Sequence, residues 1–199
     1  MITYVPDNLW GEMLPSIDNT QLIEDCLKVE DWLFANKMLV SKSAVGTAGS
    51  QTTASFKNYN LLSFPIDSFQ TLYHQIVSVI KPCLPKENHI IQCWLNIFRG
   101  NEFIDWHNHW DKDQRSIHGF YCVNVTPSFT EYKFKHLPDN IYKVESKEGL
   151  LVFGRSNEDI HRSSPWVNAS VPRITIAFDI IPISTFPVKM IRPNYFLPF

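Results

Sequence analysis

The sequence has no apolar run of the ~18–20 residues that a membrane-spanning helix needs. Its first residues include Asp7 and Glu12 and lack a basic start followed by an apolar stretch, so no export leader is expected and a cytoplasmic location is. Cys26, Cys83, Cys93 and Cys122 form no CxxC pair, which argues against a structural zinc site and for buried free thiols in a reducing compartment. Neither sign of charge dominates: 18 Lys and Arg against 20 Asp and Glu leave a formal charge of −2. That lacks the basic field of a dedicated nucleic-acid binder, so duplex nucleic acid is not an expected partner. Repeats and low-complexity tracts are missing too. Glycine is scarce, 7 against 13 prolines, which suits a β-rich fold with stiff loops better than a helical bundle.

What is present is a 199-residue chain that is 44% hydrophobic, enough to build the core of one domain. Two amphipathic stretches predict helices. Asn19 and Thr20 offer a cap for a helix over 21–36, with Leu22, Cys26, Val29, Leu33 and Phe34 on its apolar face. Asp67 and Ser68 offer one for a helix over 69–80, with Leu72, Ile76, Val77 and Ile80 inward and Pro82 as its stop. Between them, 41–55 is rich in Ser, Thr, Gly and Ala and reads as a loop. Beyond residue 90 the character changes. The runs 90–99, 119–125, 132–136, 149–153 and 173–181 are short and β-rich. A helical part over 1–89, a β core over 90–182 and an extension over 183–199 predict a mainly β (α+β) domain with the helices packed on one sheet.

The chemistry concentrates in the β part. His107 and His109 stand two residues apart, so an extended backbone points both imidazoles the same way, ~6–7 Å apart, towards one metal. Asp111 continues the alternation. His161 follows an apolar run opened by Gly149 and a polar turn, where another strand can deliver a third ligand. Surface or hydrogen-bonded histidines are the plain alternative. Arg173 then opens a strand on which Thr175 shares its face and Ile174 and Ile176 take the other. An arginine turned into a β-sheet interior is expensive without an anion, and its fork fits a carboxylate. A strand-end arginine reaching water is the bland reading of the same residue.

His107, His109, His161 and Arg173, in that order and spacing, resemble the iron(II)- and 2-oxoglutarate-dependent dioxygenase superfamily over 94–180. The segments are most similar to short bacterial and phage-encoded members: Trp94 and Asn96, Gly100, the HxH pair, the aromatic strand with Phe120, Tyr121 and Asn124, the 149–153 run, then His161 and Arg173. The resemblance implies a double-stranded β-helix, or jelly roll. It implies Fe(II), 2-oxoglutarate as co-substrate and O2, with ascorbate as a possible accessory reductant. The implied reaction is hydroxylation of a small molecule or peptide side chain, with succinate and CO2 as co-products. By position, His161 matches the distal ligand, Arg173 the 2-oxoglutarate anchor, and Tyr121 and Asn96 sites that touch 2-oxoglutarate, with Thr175 assisting.

The departure from the family pattern is at His109, where a carboxylate is usual. One register uses His107, His109 and His161. The other uses His109 and Asp111 with His161, leaving His107 outside the ligand set. Spacing from Gly100 favours the first; the charge of iron favours the second. Trp106, Trp110 and Trp166 offer a substrate platform, and Lys112, Arg115, Arg155 and Arg162 a cationic mouth, although rim packing and scattered surface charge explain both groups as well. A cupin-type metal enzyme shares the HxH and distal histidine but has no need of Arg173. A non-catalytic β-barrel binding module is the remaining alternative.

Overall fold

The computed structural model describes residues 1–39, 50–109, 115–168, 170–185 and 196–199. The chain opens with an unforeseen hairpin, β1 (Ile2–Val5) and β2 (Leu9–Met13), so the 1–89 part is not purely helical. Helix α1 (Asn19–Ala35) starts earlier than predicted because its cap is Asp18, whose carboxylate accepts the Thr20 and Gln21 N–H groups at 3.0 and 3.1 Å. Leu22, Cys26, Val29 and Leu33 are buried as expected. Phe34 is 49% exposed, because a residue adjacent to Leu33 is turned about 100° away from it.

Part of the expected 41–55 loop is a short helix, α2 (Gln51–Ala54), started by Ser50, whose hydroxyl accepts the Thr53 N–H at 3.2 Å. Residues 41–49 of that loop lie outside the described residues. This segment leans on the next strand: the N–H of Ile97 reaches the Ser50 and Thr52 hydroxyls at 3.3 Å, and the N–H of Leu95 donates to the Tyr59 hydroxyl at 2.8 Å. Helix α3 (Asp67–Ile80) starts at Ile66 with no side-chain cap, and buries Leu72, Ile76 and Ile80, leaving Val77 half-buried. The Ser68 hydroxyl donates to the Asp25 carboxylate at 2.8 Å and ties α3 to α1.

The strands that follow are β3 (His89–Phe98), β4 (Ile117–Asn124), β5 (Phe129–Phe134), β6 (Leu137–Glu145), β7 (Leu150–Arg155), β8 (Asp159–Ser163), β9 (Arg173–Pro182) and β10 (Leu197–Pro198). Those over 137–145 and 159–163 were not foreseen. Strands form a seven-stranded sheet, β1-β2-β7-β4-β9-β3-β10, and a three-stranded sheet, β6-β5-β8, all paired antiparallel. The chain alternates between them: β3 large, β4 large after His107 has touched β8, β5 and β6 small, β7 large, β8 small, β9 large.

Period-two alternation gives the large sheet two unlike faces. On β9, Ile174, Ile176, Phe178 and Ile180 join the hydrophobic core, while Arg173, Thr175, Ala177 and Asp179 line a cavity. On β3, Trp94, Asn96 and Phe98 line the same cavity. Gly119 lets β4 sit this close to its neighbours: a Cβ there would meet the Phe178 ring at 2.4 Å and the Val152 carbonyl at 2.5 Å. Among the described residues no helix is long and apolar enough to cross a membrane.

Candidate metal centre and cofactor cavity

His107 sits in an isolated bridge to β8. Its N–H donates to the His161 carbonyl at 3.1 Å, and the His161 N–H returns to the His107 carbonyl at 2.9 Å. That pairing brings the HxH segment beside the distal histidine. The rings of His107, His109 and His161 lie 4.3–5.2 Å apart between centroids, and one ligand nitrogen from each falls within 4.8 Å of the others. This is the trio of the first register. Asp111, needed for the second, lies outside the described residues.

Each of the three rings is held by its Nδ1. His107 Nδ1 donates to the Asp105 carbonyl at 2.8 Å, His109 Nδ1 bonds the Asp179 carboxylate at 2.7 Å, and His161 Nδ1 bonds the Asp159 carboxylate at 3.0 Å. With Nδ1 engaged, Nε2 is the atom left to face a metal, and the tautomer is set by the partner. Burial and the neighbouring His161 and His109 push His107 down to about 2. Burial also lowers His161, to about 4, against the pull of Asp159. Both are therefore neutral near pH 7, as a ligand imidazole must be. Burial pulls His109 down as well, but the charge and hydrogen bond of Asp179 outweigh it and raise the pKa.

Three functional residues escaped the sequence reading: His118, Asp159 and Asp179. His118 Nε2 donates to the second oxygen of Asp159 at 3.0 Å, and its ring stacks on His161 (4.7 Å, 8°) and on His109 (5.1 Å, 24°). Burial would raise Asp159, but His118 and His161 prevail and hold it well below the usual carboxylate range. His118, Asp159 and His161 also fall close enough together to be a ligand group. Their mutual hydrogen bonds already use the facing atoms, so they form a buttress behind the trio. Period two was the available signal: Asp159 is two residues before His161, and Asp179 six after Arg173, on the same faces.

The cavity is about 540 Å³, in the range of small-molecule sites, and it reaches both the histidines and Arg173. Arg173 is 2% exposed. Its Nη1 lies 3.4 Å from the Ser164 carbonyl, its Nε has no partner, and no carboxylate among the described residues pairs with it. Burial lowers its pKa to about 10, still charged at neutral pH. Thr175 is beside it in the lining, and Asn96 spans from Thr175 (Nδ2 to Oγ1, 3.3 Å) to Thr53 (Oγ1 to Oδ1, 2.8 Å). The hydroxyl of Tyr132, whose ring lies 5.3 Å from that of His161, is also buried without a partner.

Tyr121 is a correction. It is fully buried but on the opposite face of β4 from His118 and Phe120, and its hydroxyl donates to Asn19 of α1 at 2.8 Å. It fastens the helix layer and does not enter the cavity. The tryptophan platform also fails among the described residues. Trp166 is fully buried and donates to the Val171 carbonyl, and Trp106 lies outside the cavity lining, between Lys133 and Arg162. Trp94 is the tryptophan that lines the cavity, stacked 5.9 Å from His109. Arg115 pairs with Glu87, Arg162 with Glu131, and Arg155 donates to the Asp7 carbonyl, so none of them lines the cavity. Trp110 and Lys112 lie outside the described residues.

No family model and no curated protein matches the sequence. Solved structures do match the fold. A prolyl-4-hydroxylase from Pseudomonas putida aligns over 89% of this chain and 94% of its own, at 14% identity and a TM-score of 0.52. AviO1 from Streptomyces viridochromogenes aligns over 91% and 92%, at 13% identity and a TM-score of 0.59. CytC3, determined with Fe(II) and alpha-ketoglutarate, aligns over 95% and 80%, at 15% identity and a TM-score of 0.53. At these identities the likeness is one of fold: this chain's large and small antiparallel sheets follow the architecture of these solved structures over most of its length.

Proposed function

We propose that the protein is an Fe(II)- and 2-oxoglutarate-dependent dioxygenase built on a double-stranded β-helix. The observation that carries this reading is the pairing, in one cavity, of a buried arginine that has no carboxylate partner among the described residues with three histidines whose Nδ1 atoms are already engaged. His107, His109 and His161 would hold the metal through three imidazole nitrogens, which suits iron(II). Arg173 would receive the distal carboxylate of 2-oxoglutarate, with Thr175 alongside. Bound iron(II) supplies the oxidising chemistry that couples conversion of 2-oxoglutarate and O2 to succinate and CO2 with oxygen insertion into substrate.

The chain's own residues do the remaining work. Asp105, Asp159 and Asp179 orient the three rings. Phe56, Trp94, Ile104 and Phe120 give the cavity an apolar wall that excludes water from the reacting centre. Hydroxylation of a small molecule or a peptide side chain is the reaction that this enclosure and the absent basic stripe favour. The decisive assay needs no substrate: 2-oxoglutarate, iron(II), ascorbate and oxygen should yield succinate slowly without it. Calorimetry with Mn(II) in place of iron should show 2-oxoglutarate binding. No binding there would overturn the reading, and leave a cupin-type metal site or a plain binding module, for which Arg173 would have no role.

A further inference from the structure

The donor set raises a charge problem. Three neutral imidazoles leave a divalent metal with its full +2, where the common arrangement spends one ligand position on a carboxylate. A dicationic centre beside side chains as buried as Asp159, Asp179 and His161, each 7% exposed or less, would be costly without a counter-charge.

Two carboxylates are nevertheless present, one bond further out. Asp179 accepts from His109 Nδ1 at 2.7 Å, and Asp159 from His161 Nδ1 at 3.0 Å, and both are about 4% exposed or less. They arrive from different strands, β9 and β8, on either side of the trio. Asp159 is fixed in turn by His118 at 3.0 Å, whose ring lies flat against both ligand rings. By contrast His107 is held by a neutral backbone carbonyl. The site thus has two anions, each hydrogen-bonded to the Nδ1 of one of the three rings.

We infer that Asp159 and Asp179 are positioning residues that replace the missing ligand carboxylate, supplying the metal's counter-charge through His161 and His109. This rests on the metal-centre reading above. An imidazole whose Nδ1–H is bound to a carboxylate is a stronger donor at Nε2 and is locked in the ligating tautomer. Two such relays would offset the +2 without a protein carboxylate bound to the metal itself. The arrangement keeps the charge balance of a carboxylate site while all three protein ligands remain nitrogen.

Asparagine is the informative substitution, because its amide oxygen still accepts from Nδ1–H while the charge is removed. Anaerobic Co(II) titration of the metal-free protein, followed by visible absorption, reads affinity and ligand field without turnover. Asp179→Asn and Asp159→Asn should each weaken Co(II) binding by about 10- to 100-fold and shift the absorption bands. Asp25→Asn, which removes a buried carboxylate of α1 that pairs with Ser68, Gln21 and Lys28, should bind Co(II) as the parent does. A merely structural role would lower the thermal midpoint of the metal-free variants and leave their affinity and spectrum at parent values. That result would overturn the inference. If Asp159→Asn, whose carboxylate is bonded to both His118 and His161, fails to fold, Asp179→Asn decides. A parent that binds no Co(II) would instead bring down the metal-centre reading, and this inference with it.

Discussion

The cavity face of β9 ends in two very different ways. At one end Asp179 sits in a web in which each histidine has a partner for its Nδ1. At the other, six residues and about 20 Å of extended strand away, Arg173 is buried with an unpartnered Nε and no carboxylate among the described residues. Both ends are polar, both are enclosed, and they differ only in who completes them. The histidine end is completed by the protein, so its geometry exists before any ligand arrives. The arginine end has no such partner among the described residues, and the proposed 2-oxoglutarate carboxylate is what would complete it.

The sharpest way to break the comparison is at the built end. His161→Ala should abolish metal binding, a loss greater than the roughly 10- to 100-fold typical of an outer partner, measured by anaerobic titration. Setting His107→Ala beside Asp111→Ala in the same titration separates the two registers. The trio predicts loss with the first and near-parent affinity with the second.

Next comes the unfinished end. Arg173→Leu should weaken 2-oxoglutarate binding by roughly 100-fold or more, the consequence of losing one partner of a buried charged pair. The same substitution should make the ligand-free protein more stable, by about 1–3 kcal/mol in urea unfolding, because it removes a desolvated charge that nothing pairs. Loss of both binding and stability would mean that Arg173 is structural.

Sequence periodicity carried this far because the site is built on strands. Two-residue spacing placed His107 with His109 and Arg173 with Thr175; the same rule already reaches Asp179 on the strand read over 173–181, and would have added Asp159 had the 159–163 stretch been read as a strand. It was not, since Asp159, His161, Arg162 and Ser163 line a strand with one aliphatic residue, Ile160, and that one faces outward at 38% exposure. Tyr121 shows the opposite limit. Alternation tells which residues share a face, and cannot tell which face meets helix α1 and which meets the cavity. The opening hairpin was illegible for a third reason. Its strands are four and five residues long, and β2 joins them to the sheet through β7, some 140 residues later, so the local pattern carries little of what holds them.

The segment from Ser50 to Tyr59 has a consequence beyond the cavity wall. Among the described residues β10 pairs with β3 at Ile90 and Ile91, with Phe199 bonded to His89, and leaves the N–H groups further along that ten-residue buried strand to other partners. The hydroxyls of Ser50, Thr52 and Tyr59 occupy those donors at Leu95 and Ile97, and Asn60 donates to the Ile91 carbonyl at 3.1 Å. Side chains thus stand in for a missing strand along an open sheet edge, satisfying its ladder without offering a new one. The edge is closed to intermolecular β-pairing by residues that cannot themselves propagate it.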